Sequence, residues 1–268
     1  MIQSEMQRRI AEDGWCVIDA VIPPEAVAQV RDSILATVAA HKLPDPRSQL
    51  DKVSGLVNFN QSFVPYLAEP RLLGLCKALL GEHLRVSYTT CMVTHPGNAR
   101  GALHADWPFN QQNAGHVPAP YPDALMHVTT IWMLTAFTAE TGTRIVPGTH
   151  RQRNNPSGDN GVPPLDPHPD EITVSGEPGS VLVMDSRLWH AISPNRSTQS
   201  RVALPIRFAP WWLNLDSLRP GSDERKRLTA GGLGENTVPL VPERVFVNLP
   251  DEVKPLFRHW VGTGRTRI

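Results

Sequence analysis

Leu103-His104-Ala105-Asp106-Trp107 places an imidazole and a carboxylate two residues apart, and Arg187-Leu188-Trp189-His190 supplies a second imidazole 84 residues after the aspartate. On an extended segment, side chains two apart point to the same face, so His104 and Asp106 can reach one ion. The third donor then has to come from a remote strand folded alongside. Two histidines and one carboxylate on one face of an octahedral ion are the ligand set of a mononuclear iron(II) site, with the opposite face open to a co-substrate and dioxygen.

The patterning of the rest of the chain is compatible with that demand. Apolar Val27, Val30, Ile34, Leu35 and Val38 recur at intervals of three and four, which predicts an amphipathic helix over 25–41, with Pro24 in its first turn. A second helix is expected from Pro70 to Leu80, stopped by Gly81. Trp15 to Ile18 alternates as a short strand, and 83–95 is rich in β-branched and aromatic residues. Further strands are expected at 126–137, 172–174, 179–185 and 201–210. On the last of these, period two puts Ala203, Pro205 and Arg207 on the same side as Arg201. Helices occupy the first half and strands the second, without regular alternation. That excludes a doubly wound sheet and predicts a mainly β architecture with flanking α-helices. With no internal repeat, residues 1–268 read as a single domain, and the proline-rich stretches 118–122 and 156–178 read as long loops.

Basic and acidic residues number 26 each and the sequence pI is near 7.2. A nucleic-acid partner is therefore not expected, because binding a phosphate backbone needs a basic face. No apolar run has the length of a membrane span, and the first ten residues lack the apolar core of a secretory signal, so a cytoplasmic protein is expected. Cys16, Cys76 and Cys91 have no metal-type spacing and read as reduced core thiols.

After the distal imidazole the chain reads His190-Ala191-Ile192-Ser193-Pro194-Asn195-Arg196-Ser197-Thr198-Gln199-Ser200-Arg201. Between the ligand segments lies Glu140-Thr141-Gly142-Thr143-Arg144-Ile145-Val146-Pro147-Gly148-Thr149-His150, and near the start Asp13-Gly14-Trp15-Cys16-Val17-Ile18-Asp19 precedes Ile22-Pro23-Pro24-Glu25. In these three stretches the chain resembles the phytanoyl-CoA dioxygenase family of iron(II)/2-oxoglutarate-dependent oxygenases. The family's distal histidine is followed by asparagine, serine and arginine at the offsets of Asn195, Ser197 and Arg201.

The resemblance implies a double-stranded β-helix (jelly-roll, cupin-like) barrel, with the N-terminal helices packed outside. It implies iron(II) on His104, Asp106 and His190, with 2-oxoglutarate and dioxygen as co-substrates. A planar guanidinium at Arg201 matches the distal carboxylate of the dicarboxylate. Ser193 and His95 are expected near the same co-substrate, His95 standing where family members often carry lysine. His150 is implied to be structural, His127 reads as a core histidine, and His116 and His168 read as loop residues. Trp107 and Trp189 are candidates to wall a substrate pocket or are barrel packing. Arg207 is a candidate partner for an anionic substrate group or for a neighbouring carboxylate, and Asn60, with Asn58 and Gln61, is a candidate pocket amide. The implied reaction oxidises a C–H bond and releases succinate and carbon dioxide. Related halogenases lack the carboxylate, so Asp106 favours hydroxylation or a similar oxidation over halogenation. The alternatives are a cupin-like metalloenzyme that does not use 2-oxoglutarate and a non-catalytic binding barrel; the intact ligands and Arg201 favour the oxygenase. No cluster of Lys and Arg suited to the phosphates of coenzyme A is evident, which points to a small organic metabolite.

Overall fold

Residues 2–42, 49–107, 119–156, 165–229 and 240–262 are described in a computed structural model. Among them the strands, in chain order, are β1 (Trp15–Ile18), β2 (Leu50–Ser54), β3 (Arg85–Thr94), β4 (Val128–Met133), β5 (Thr143–Val146), β6 (Ile172–Val174), β7 (Val181–Asp185), β8 (Trp189–Ala191) and β9 (Arg201–Ala209). They form an antiparallel six-stranded sheet in the order β1-β7-β4-β9-β3-β2 and a three-stranded sheet in the order β6-β5-β8. Three longer helices, α1 (Gln3–Asp13), α2 (Pro24–His41) and α3 (Pro70–Leu80), belong to the first third of the chain.

Alternation along the strands decides which residues meet the helices and which meet the small sheet. Val181 and Val183 on β7, Trp132 on β4, and Val202, Leu204, Ile206 and Phe208 on β9 join one core cluster with Val27, Val30 and Ile34 of α2 and with Leu72 and Leu75 of α3. The intervening residues Leu182, Met184, Ile131, Met133 and Ala203 pack instead against Ile145 of β5 and Val174 of β6. Both faces of the large sheet are thus covered, which is why its central strands are buried almost throughout.

This is the fold class expected, and the helices Pro24–His41 and Pro70–Leu80 and strand Arg201–Ala209 lie where the sequence puts them. The expected double-stranded β-helix takes the form, among the described strands, of two facing sheets rather than a closed barrel. The small sheet is made of strands of three or four residues, and Pro147 directly after β5, having no N–H, cannot extend its ladder. Of the proline-rich loops, residues 118 and 157–164 lie outside the described residues, as does His116. The three cysteines are free and buried, and burial pushes the Cys16 and Cys91 thiols up to about 12.

Two histidines set in this frame, His127 and His259, make its stability sensitive to mild acid. Burial, with Arg207 near His127 and Arg85 near His259, pushes both pKa values down to about 3 from 6.5. The unfolded chain takes up these protons below pH 6.5 and the folded chain does not, so the stability they confer is present above 6.5. It is lost as pH falls from 6.5 towards 3, at about 1.4 kcal/mol per pH unit for each ring. The melting temperature of the metal-free protein is expected to drop between pH 7 and pH 5, before most carboxylates titrate; a flat profile over that interval contradicts the burial of neutral rings.

Candidate metal centre

His104 and His190 are brought together by backbone pairing. His104 forms an isolated antiparallel bridge with His190 at the edge of the small sheet, each N–H donating to the other's carbonyl at 3.0 and 2.8 Å. Residues directly opposite in such a pair project from the same face, and here the ring centroids are 4.3 Å apart. Asp106, two residues further along, turns to that face as well. Its N–H and that of Trp107 donate to the carbonyl of Ser186, which anchors the segment beside β7. The imidazole Nε2 atoms lie 3.6 Å (His104) and 3.5 Å (His190) from the Asp106 carboxylate oxygens. Among the described residues these three form the one group of His, Cys, Asp or Glu whose donor atoms, all within 4.8 Å of one another, suit a single ion.

The protonation pattern suits a metal. His104 Nδ1 is 2.8 Å from the carbonyl of Ala102 and His190 Nδ1 is 2.9 Å from that of Leu188. A carbonyl only accepts, so both Nδ1 atoms carry the hydrogen and both Nε2 lone pairs face the carboxylate. Burial is the largest influence holding His190 neutral, with His104 beside it, pushing its pKa down to about 4. At Asp106 burial works to raise the pKa, but Arg207, His190 and His104 outweigh it and hold the carboxyl well below the usual range. The buried site therefore keeps one ionised carboxylate and a neutral imidazole at ordinary pH.

Behind the triad, a cavity is lined by Met92, Ile131, Thr143, Ala203 and Pro205, with Arg201 and Arg207 on its wall. The period-two reading of β9 holds, since Arg201, Ala203, Pro205 and Arg207 all line it. Arg201 is buried, stacks over Phe137 with its guanidinium carbon 3.9 Å from the ring centroid, and donates to Thr143 Oγ1 at 2.9 Å. Its Nε has no partner, and among the described residues no carboxylate pairs with it. Burial alone pushes its pKa down to about 9, which leaves it charged at neutral pH. A buried cation without a counter-ion is costly, and a carboxylate entering the cavity would relieve it.

Of the remaining candidates, only Arg207 lines this cavity among the described residues. His95 uses Nε2 on Asp51 (2.8 Å) and Nδ1 on Ser200 Oγ (2.9 Å), so both ring nitrogens are engaged away from Arg201. Ser193 donates to the carbonyl of Gly142 and accepts from Arg144 Nε, bracing the Glu140–Thr143 turn. That turn needs its glycine because a Cβ at Gly142 would lie 2.0 Å from the Val174 carbonyl. Asn60 bonds Ser33 and Thr37 of α2, on the helical side of the large sheet. Trp189 packs with Leu103, Ala105 and Val146 and donates to the carbonyl of Asn154, because β8 turns it away from the face of His190. Trp107 is buried and is not among the residues lining the cavity. Arg207 reaches the cavity wall, but its Nη2 donates to Asp106 Oδ1 at 2.6 Å, so its charge is matched by that carboxylate. His150 lies against Gly14 and Ala11, tying α1 to the turn after β5.

Asn195 and Ser197 shape the turn that delivers Arg201. The Asn195 amide donates to the carbonyls of Thr94 and Gln199, and its oxygen accepts from the N–H and hydroxyl of Ser197. Sequence reasoning missed Thr143 and Phe137 as partners of Arg201, and Thr129, whose hydroxyl donates to Asp106 Oδ2 at 2.8 Å. Thr143 lies within a quoted motif; Phe137 and Thr129 carry no local signal.

Comparison with known proteins bears on this arrangement. The profile of the phytanoyl-CoA dioxygenase (PhyH) family matches residues 10–203. The dioxygenase af480 of Aspergillus fumigatus is 28% identical over 201 residues, which cover 71% of this chain and 61% of af480. Among solved structures, SnoN, a non-haem α-ketoglutarate-dependent epimerase from nogalamycin biosynthesis, superposes with a TM-score of 0.63 at 17% identity, covering 82% of this chain and 90% of SnoN. HygX from Streptomyces hygroscopicus, solved with nickel and 2-oxoglutarate bound, gives a TM-score of 0.60 at 16% identity, covering 83% of this chain and 94% of HygX. At these identities the structural likeness is one of fold.

Proposed function

The chain belongs to the phytanoyl-CoA dioxygenase family, and from that premise we propose that it hydroxylates a C–H bond of a small organic metabolite, with iron(II) on His104, Asp106 and His190 and 2-oxoglutarate held by Arg201. As an iron/2-oxoglutarate-dependent dioxygenase it uses iron, 2-oxoglutarate and dioxygen. One observation carries the ligand assignment: both imidazoles commit Nδ1 to a backbone carbonyl two residues earlier, while both Nε2 atoms converge on one buried, ionised carboxylate. Fixed tautomers and directed lone pairs are what a metal requires of its histidines.

When bound, the iron supplies dioxygen activation coupled to oxidative decarboxylation of 2-oxoglutarate to succinate and carbon dioxide. The protein's own groups hold the reactants. Arg201, aligned by Thr143 and stacked on Phe137, offers its free donors to the distal carboxylate. Met92, Ile131, Ala203 and Pro205 give the cavity apolar walls. The same reading treats residues 1–268 as one domain working in the cytoplasm on a small molecule. Among the described residues no helix is long and apolar enough to cross a membrane.

The outcome of the oxidation is open to a direct test, because an epimerase stands among the proteins sharing the fold. Candidate metabolites are incubated with the protein, iron(II), 2-oxoglutarate and labelled dioxygen, and succinate and product mass are followed together. Hydroxylation is expected to add one labelled oxygen atom per succinate formed. A product of unchanged mass, or one short of two hydrogens, overturns the hydroxylase assignment while leaving the family chemistry intact.

A further inference from the structure

Asp106 is held from two sides. Arg207 donates to Oδ1, and Thr129 donates to Oδ2. Behind Thr129 a file of buried polar groups runs between the strands. Thr129 Oγ1 lies 2.8 Å from Ser186 Oγ, Ser186 Oγ lies 2.8 Å from His127 Nδ1, and His127 Nε2 lies 2.7 Å from Ser87 Oγ. All of these side chains are buried.

The hydrogens in this file can be assigned from its end. An ionised carboxylate only accepts, so Thr129 gives its single hydroxyl hydrogen to Asp106 and must accept from Ser186. Ser186 gives its single hydrogen to Thr129 and must accept from His127. The neutral ring therefore carries its hydrogen on Nδ1 and accepts at Nε2 from Ser87. Burial and the neighbouring Arg207 keep that ring from taking a second proton, so the direction does not reverse near neutral pH. Burying three hydroxyls and an imidazole where Val or Ala would fill the space is costly unless every group is satisfied, and here each is matched to the next. Ser186 is the junction: its carbonyl accepts from Asp106 N at 2.7 Å and Trp107 N at 3.1 Å, and its N–H donates to the carbonyl of His127 at 3.1 Å.

We propose that Thr129, Ser186 and His127 are positioning residues that fix the orientation of the Asp106 carboxylate before any metal arrives. The inference rests on the reading of Asp106 as a metal ligand. A carboxylate already locked in its ligating orientation loses no rotational freedom on binding, so the ordering cost of assembling the site is met by the fold. Groups that orient metal ligands in this manner change affinity by about 10–100-fold when removed.

The test compares metal affinity with stability in the metal-free protein. Anaerobic iron(II) titration against a competing chelator is performed on wild type, Thr129→Val, Thr129→Ser and Ser186→Ala, with melting temperatures of the same metal-free samples. Thr129→Val keeps shape and removes the hydroxyl; it is expected to weaken iron(II) binding about 10–100-fold, while Thr129→Ser binds like wild type. Ser186→Ala, which spares the backbone bonds of Asp106 and Trp107, is expected to weaken binding in the same direction and stands in should Thr129→Val fail to fold. Wild-type affinity in Thr129→Val or Ser186→Ala, with only the melting temperature lowered, makes the chain merely structural and overturns the proposal. Equal losses in Thr129→Val and Thr129→Ser overturn it too, because the hydroxyl is then irrelevant. A wild-type protein that binds no iron(II) sinks the ligand assignment itself, and is thereby distinguished from failure of the chain alone.

Discussion

Asp106→Ala is expected to abolish 2-oxoglutarate turnover and to weaken iron(II) binding by more than the roughly 100-fold upper range seen when groups that only orient a ligand are removed. The variant loses the only carboxylate of the triad and leaves two imidazoles to hold a divalent ion. It also strands Arg207, whose Nη2 is paired with Asp106 Oδ1 at 2.6 Å, and Thr129, which donates to Oδ2. A buried cation deprived of its partner costs about 3–5 kcal/mol when water cannot reach it. Arg207 is about one-fifth exposed, so the lower end applies and the metal-free fold is expected to survive. Asp106→Asn separates the two effects, since the amide keeps an oxygen for Thr129 but loses the charge. Because the lost charge still leaves Arg207 unmatched, its melting temperature is expected between those of wild type and Asp106→Ala, and its turnover near that of Asp106→Ala. Turnover unchanged in either variant removes Asp106 from the metal site.

Arg201→Met is expected to move co-substrate affinity and stability in opposite directions. Among the described residues Arg201 is a buried guanidinium with a single side-chain hydrogen bond, to Thr143, a ring beneath it and a bare Nε. Without 2-oxoglutarate that charge is uncompensated, and replacing a buried ion by an apolar side chain of similar volume is commonly neutral or stabilising. The melting temperature without co-substrate is therefore expected to hold or rise. Losing one member of a buried charge pair costs about 2–5 kcal/mol of binding, so the 2-oxoglutarate dissociation constant is expected to rise by roughly 30-fold to several thousand-fold. Isothermal titration of the metal-loaded protein and a thermal melt of the metal-free protein read the two quantities. A variant that is destabilised yet binds 2-oxoglutarate normally contradicts this role for Arg201.

Several parts of this account were legible in the residues and others were not, for physical reasons. Period two on Arg201–Ala209 sorted Arg201 and Arg207 to one face because the strand is long and regular. The spacing of Leu72, Leu75, Cys76 and Leu80 found α3 because a buried stripe leaves a clear period. Helix α1 was not anticipated: only Met6 and Ile10 are buried on it, too little for a stripe to stand out among charged residues. Strand β8 has three residues, below the length at which alternation can be read. The triad was visible because its members have distinctive chemistry, whereas their supports do not. Arg207 meets Asp106 across 101 positions of sequence, and Thr129 and Ser186 are ordinary hydroxyl residues until the strands align them. The resemblance puts His95 near the co-substrate, whereas Asp51 on the neighbouring β2 and Ser200 engage its two ring nitrogens, partners that no local pattern announces.

The central claim is that one pocket holds iron(II) through His104, Asp106 and His190 and 2-oxoglutarate through Arg201. An anaerobic titration of the metal-free protein with iron(II) and then 2-oxoglutarate, followed in the visible spectrum, tests it most directly. With both ligands in one pocket, a weak charge-transfer band is expected that needs both additions, saturates with 2-oxoglutarate, and requires far more of it in Arg201→Met. Iron(II) demonstrably bound by the wild-type protein, with no band at any concentration of 2-oxoglutarate, contradicts it.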